Sequence, residues 1–172
     1  MLQILTPLNK VERVSRSIDP TTFVAAPGVW AQLQADESII NVVAGTNALV
    51  NKLVIGSSSS NIYESHDVDV GRVATMESFG VRCQVDSTGY YGSMTLGDLL
   101  CVSSLAGQLG KLVSSREAAN GIYEIVARCE KIDTVGGFLT FKTISPMIVT
   151  ITTHGTTGTT YEPTGGTIEP VL

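Results

Sequence analysis

The side chains able to do chemistry in this sequence are few and scattered. There are two histidines, His66 and His154. His66 lies in Glu64-Ser-His-Asp-Val-Asp69, where Glu64, His66 and Asp67 are of the types that hold a divalent cation. On an extended chain alternate residues share a face, so Glu64 and His66 point together while Asp67 and Asp69 point away. Two ligands on one face are too few for a closed zinc site, and the run reads as a polar loop or edge. His154 stands in a Thr/Gly-rich stretch with no neighbour able to orient it. Neither histidine is assigned as a metal ligand.

Nucleophiles fare no better. The sequence contains no G-x-S-x-G elbow, no phosphate-cradling G-x-x-x-x-G-K-[ST] and no dinucleotide fingerprint. The cysteines are Cys83, Cys101 and Cys129. Their odd number and wide spacing argue against a disulfide framework or a zinc site. Each sits in an alternating apolar run, which predicts a buried thiol acting as a small hydrophobe, as suits a protein made in reducing cytosol. Arg82 precedes Cys83 and Arg128 precedes Cys129, but alternation points each arginine away from its thiol. A nucleotide hydrolase would need a catalytic Asp in a Gly-rich turn. Asp86-Ser-Thr-Gly-Tyr-Tyr-Gly92 is the nearest candidate, yet the C-terminal stretch offers no Lys or Arg to clamp a phosphate. The expectation is a protein that is not an enzyme, with no catalytic residue, no cofactor and no metal.

Composition points towards contacts between proteins. Hydrophobic residues make up 43% of the chain and charged residues only 16%, against roughly 25% in an average soluble domain. A Thr- and Ser-rich surface suits dry protein contacts, because burying a hydroxyl costs far less than burying an ion. The net charge is −5, and Lys and Arg are scattered singly. A nucleic-acid partner is therefore not expected. No apolar run is long enough to span a membrane, and the opening residues lack the basic start of a secretory signal.

The elements that would position these residues are strands. Leu49, Leu53 and Ile55 share a face within Ala48–Ile55, with Asn51 among them. Val81, Cys83 and Val85 alternate with Arg82, Gln84 and Asp86. Tyr123, Ile125, Ala127 and Cys129 point inward, with Glu124, Arg128 and Glu130 outward. Leu139 and Phe141 share a side, and Met147, Val149 and Ile151 suggest one more strand. Asp133–Gly137 is a hairpin-length loop. Turn signals recur often enough to favour a barrel or sandwich over a βαβ fold. Two stretches have roughly helical spacing, Ala31–Ala44 and Leu96–Leu105, although Gly97 and Val102 are poor helix formers.

The expected organisation is an all-β domain over residues 29–152, a small barrel or sandwich with one or two short helices, flanked by extended arms at 1–28 and 153–172. In the first arm, Asp19-Pro20 and Pro27-Gly28 interrupt any helix and hold the preceding residues extended. It reads either as an arm exchanged with a neighbour or as edge strands of the domain. The C-terminal arm has too little apolar surface to offset its ordering entropy alone.

Between Gly71 and Ile144 the short motifs follow a familiar layout. Gly97-Asp-Leu-Leu-Cys-Val102 is followed by Gly107-Gln-Leu-Gly-Lys-Leu-Val113, then Gly121-Ile-Tyr-Glu-Ile-Val-Ala127, then Gly136-Gly-Phe-Leu-Thr-Phe141. This layout resembles the small β-barrel decoration, or cement, proteins on the heads of tailed bacteriophages, over about half of the chain. Ala127 stands where a Gly is common in that family.

The resemblance implies a homotrimer that binds the major capsid protein on the outside of the virion and stiffens the shell, after synthesis in the host cytoplasm. It transfers no catalytic residue. The expected contact residues are Leu2, Ile4, Leu5, Leu8, Val11 and Val14 of the first arm, an arm able to add a strand to a neighbour's sheet edge. Tyr90 and Tyr91, in a Gly-flanked turn, are the other candidates. Another virion module of tail, baseplate or fibre shares these compositional arguments. A carbohydrate-binding module using Tyr90 and Tyr91 is a further reading.

Overall fold

Alternating runs broken by Gly, Ser and Thr build paired strands, and the chain folds accordingly. The computed structural model describes residues 1–45, 50–56 and 71–152. Within them lie β1 (Leu2–Ile4), β2 (Arg13–Ser17), β3 (Trp30–Leu33), β4 (Ile39–Asn41), β5 (Asn51–Gly56), β6 (Arg72–Met76), β7 (Arg82–Asp86), β8 (Leu99–Val102), β9 (Leu112–Ser114), β10 (Gly121–Asp133) and β11 (Phe138–Ile151). A six-stranded sheet, here sheet A, runs in the order β1-β7-β11-β10-β8-β9, and a five-stranded sheet B in the order β2-β6-β5-β3-β4. Trp30, Leu53 and Met76 from sheet B meet Cys83, Leu100, Leu112, Leu139 and Phe141 from sheet A in the main core. The architecture is an all-β sandwich, and the sheets do not close into a barrel.

Both expected helices are corrected to strands. Ala31–Ala44 forms the β3–β4 hairpin. Its turn is held by Asp36, whose Oδ1 accepts from the Ser38 backbone N–H at 3.0 Å and hydroxyl at 2.6 Å. That local pairing competes with a helix, and the β-branched Ile39, Ile40, Val42 and Val43 favour the pleated alternative. Leu96–Leu105 contains β8, entered through Gly97 at φ 89°, a conformation that ends helical winding. The one helical element among the described residues is a 3₁₀ turn at Leu8–Lys10.

Within the first 28 residues, two short strands stand at sheet edges. β1 pairs with β7 at the edge of sheet A, and β2 pairs with β6 at the edge of sheet B. The following segment lies over the outer face of sheet B, where Ile18 and Phe23 cover Ala31, Ile39, Val54 and Val73. Asn41 anchors it, its Oδ1 accepting from Val24 N–H at 3.0 Å and Ala25 N–H at 3.1 Å, and its Nδ2 donating to the Thr22 carbonyl at 2.7 Å. Sheet B is thus buried on both faces where β5 crosses it. Val54, on the face of β5 turned away from the main core, is fully buried in this second cluster. The 153–172 segment and the Glu64–Asp69 run lie outside the described residues, as do residues 48 and 49 of the predicted Ala48–Ile55 strand.

The long β10–β11 hairpin is where simple alternation fails. Register shifts interrupt it between Ile125 and Ala127 and again between Cys129 and Lys131. An extra residue in one strand reverses which face the following side chains occupy. Ala127 and Cys129 face the main core as expected, while Ile125 and Tyr123 pack on the opposite face of sheet A. Met147, Val149 and Ile151 do not form a separate strand. β11 continues through Pro146 to reach them, and they too lie on the outer face. Pro146 is tolerated because β7 pairs β11 only along Phe138–Lys142, so no sheet partner there requires its missing N–H.

Candidate functional site

The predicted contact residues divide once folded. Leu2 and Ile4 pack against the main core, Val11 is buried within it, and Val14 is half-buried. Leu5 and Leu8 stay open, at 42% and 45% exposure. Tyr90 turns towards the main core and bridges to Leu112. Tyr91 goes the other way, joining the outer face of sheet A with its hydroxyl 3.1 Å from Ser103 Oγ. Asp86, the residue weighed as a hydrolytic base, folds its Oδ1 onto Thr88, accepting from the N–H at 3.0 Å and the hydroxyl at 2.6 Å. This is a turn-closing arrangement. Among the described residues no group of three His, Cys, Asp or Glu side chains could hold a metal ion.

The cysteines behave as the alternation predicts. All are free and buried. Burial pushes the Cys83 and Cys101 thiols up to about 12 and raises that of Cys129. A thiol held protonated in this way is a poor nucleophile.

A half-exposed apolar cluster covers the outer face of sheet A at its β8–β10–β11 end. Cys101, Val113, Ala118 and Ile125 are buried there, and Tyr91, Leu99, Tyr123, Ile144, Met147, Val149 and Ile151 pack around them half-exposed. β8 pairs β10 only at Ile125, Ala127 and Arg128, and β7 stops at Lys142. Gly121–Glu124 and Met147–Ile151 therefore run on past their neighbours as a two-stranded ribbon. Ile122, on the other side of the ribbon, is 41% exposed. Such a ribbon is marginal alone in water, and among the described residues no further strand pairs with either of its outer edges.

A buried carboxylate anchors the ribbon's base. Glu124, expected to face solvent, is 6% exposed. One of its oxygens, Oε2, accepts both the backbone N–H and the Nδ2 of Asn51 in sheet B, each at 2.6 Å. Burial raises its pKa from the ordinary glutamate value, partly offset by the Asn51 donors and by Lys52. Sequence reasoning missed this pair, and the signal was present in Asn51, an amide set among inward leucines that required a polar partner.

The Gly97-Asp98 motif has a definite job. Asp98 Oδ2 accepts from Thr95 N–H at 2.8 Å, Ser114 Oγ at 2.9 Å and Arg116 Nη2 at 2.6 Å, so one carboxylate ties the entrance of β8 to the end of β9. Burial works against its ionisation, but the bonds from Arg116, Thr95 and Ser114 prevail and hold its pKa below the ordinary value. In the second motif, Gly110 donates to Ser103 and its carbonyl receives the Trp30 N–H at 2.8 Å, joining the β8–β9 loop to sheet B.

No protein-family model, no characterised protein and no solved structure matches this chain. No helix of the described residues is long and apolar enough to cross a membrane.

Proposed function

We propose that this chain is a structural subunit that binds copies of itself and a larger assembly, working as a decoration or cement protein on the head of a tailed bacteriophage. In this reading it forms a homotrimer on the capsid exterior, contacts the major capsid protein and is made in the host cytoplasm. It uses surfaces rather than a reactive pocket. The observation that carries the reading is the Gly121–Glu124/Met147–Ile151 ribbon, which extends past its sheet with no further strand paired to its edges among the described residues, beside a half-exposed apolar face. A neighbouring subunit that added a strand there would pair with an edge of the ribbon and cover Tyr123, Val149 and Ile151 together. The motif order from Gly97 to Phe141 supports the head-decoration assignment, and the low charge density supports dry contacts between subunits.

The test is solution mass by light scattering combined with co-sedimentation on expanded phage heads. The reading expects a trimer that pellets with heads. A monomer that stays in the supernatant at saturating concentration overturns it. Deleting residues 1–20 would remove β1 and β2 from their sheets. The contribution of the N-terminal region is better read from Leu5→Asp and Leu8→Asp, which change exposed positions.

A further inference from the structure

Basic residues that are far apart in the sequence stand side by side in sheet A. Arg128 of β10 pairs directly with Lys142 of β11, and Lys142 pairs directly with Arg82 of β7. Directly paired residues project from the same face with Cβ atoms roughly 5 Å apart. All three are exposed, on the face away from the main core. The next row along the strands holds Lys131, Thr140 and Gln84. Like charges set directly opposite one another destabilise a sheet. Glu130 pairs with Arg82 at 2.5 Å, while Arg128 and Lys142 make no ion pair among the described residues.

Beside this row lies an open groove of about 640 Å³, lined by Arg82, Arg128, Glu130, Lys131 and two apolar side chains, Leu5 and Leu96. Leu5 is 42% and Leu96 73% exposed. The groove combines cations with apolar walls, and the positive patch has a limit. One row beyond Lys131, Thr140 and Gln84, Asp133 and Asp86 flank Phe138 on either side. The patch spans three strands, about 10 Å at the usual strand spacing.

We propose that this groove is a docking site for a short acidic segment of a partner protein, one carrying Asp or Glu next to an apolar residue. The carboxylates would meet Arg128, which lines the groove, and Lys142, which stands next to it in the row just outside the lining, and the apolar side chain would lie against Leu96, which borders β10 beside Arg128. A short segment ends where the cations end. A longer polyanion such as a nucleic acid would run into Asp86 and Asp133 and into a chain of net charge −5. The inference stands apart from the assembly role, since it needs neither the ribbon nor a trimer.

The experiment measures binding of a fluorescein-labelled hexapeptide of alternating glutamate and leucine to the full chain by anisotropy, at low and at high salt. The proposal expects saturable binding that weakens with salt. It expects about tenfold loss in the Arg128→Glu/Lys142→Glu double variant and no comparable loss in Lys10→Glu/Arg72→Glu, an equal charge change at exposed positions elsewhere. Thermal unfolding checks each variant, and Arg128→Gln/Lys142→Gln replaces the charge reversal should that one fail to fold. Absence of peptide binding, or equal losses in the row and control variants, overturns the proposal. Tighter binding of a labelled oligothymidylate of matching charge overturns it in favour of a nucleic-acid surface.

Discussion

Glu124 of sheet A and Asn51 of sheet B are joined across the sandwich by two hydrogen bonds to a single carboxylate oxygen, one from the Asn51 backbone and one from its side chain, each 2.6 Å. The pair sits where the β10–β11 ribbon leaves the sheet, so it links the body of the fold to the part proposed to meet a neighbour.

Removing that carboxylate strands buried donors. Glu124→Ala should destabilise the fold by about 1–3 kcal/mol, the usual penalty of unsatisfied buried hydrogen-bonding groups. Glu124→Gln keeps an oxygen for both Asn51 donors and should stay within about 1 kcal/mol of the parent. Urea unfolding at neutral pH measures both.

The same residue carries a pH signature. Its folded pKa is raised, so the folded state holds the proton more tightly than the unfolded chain. The associated stability is present below the unfolded glutamate value and is lost as pH rises through the folded one. Asp98 has the opposite sign. Its folded pKa is lowered, so its contribution is present above the ordinary aspartate value and is lost as pH falls through the folded one. Glu124→Gln should remove a loss of stability on the alkaline side of the ordinary glutamate value, and Asp98→Asn should flatten the acid limb. Unfolding midpoints across the acid range separate the two.

Gly110 should tolerate no side chain. It lies at φ 74°, and a Cβ built there collides with the carbonyl oxygen of Trp30 and presses on Val29. Backbone cannot yield as a flexible side chain can. Gly110→Ala should cost about 3 kcal/mol or more. By contrast, Gly107→Ala meets no atom within 4 Å and bears only the strain of φ 82°, about 1 kcal/mol. Thermal melts of the two variants give the ranking.

Ile122→Lys should leave the unfolding free energy within about 0.5 kcal/mol, as for an exposed site, and should weaken self-association if the ribbon is an interface. Light scattering against concentration reads that effect without confusing it with misfolding.

The thiols offer a direct probe of packing. Cys83, Cys101 and Cys129 are buried and their ionisation is suppressed. A disulfide reagent should label them only at the rate of opening, and mild urea should speed all three. Fast labelling of the native protein would contradict the core described for sheet A.

How much of this was legible beforehand varied with the local pattern. Val81, Cys83 and Val85 were read to the residue, because β7 is a regular strand with one face on the core. The Asp133–Gly137 turn was legible too: Asp133 Oδ1 accepts from Val135 and Gly136 N–H groups, with Gly137 at φ 69°. Tyr123 and Ile125 were placed on the wrong face because a bulge leaves no mark in an alternating run. Ala31–Ala44 was read as helical because its apolar spacing fits both periods when taken alone.

Composition and alternation by themselves determined that this chain would be all-β and would bury its cysteines, because those properties depend on residue type and on neighbours close in sequence. Tertiary structure alone decided that the first residues complete both sheets, that Glu124 meets Asn51, and that Arg82, Lys142 and Arg128 form a row. The physical reason is strand register: which residues stand opposite one another across a sheet depends on bulges and on long-range pairing, and neither is written in the spacing of a single strand.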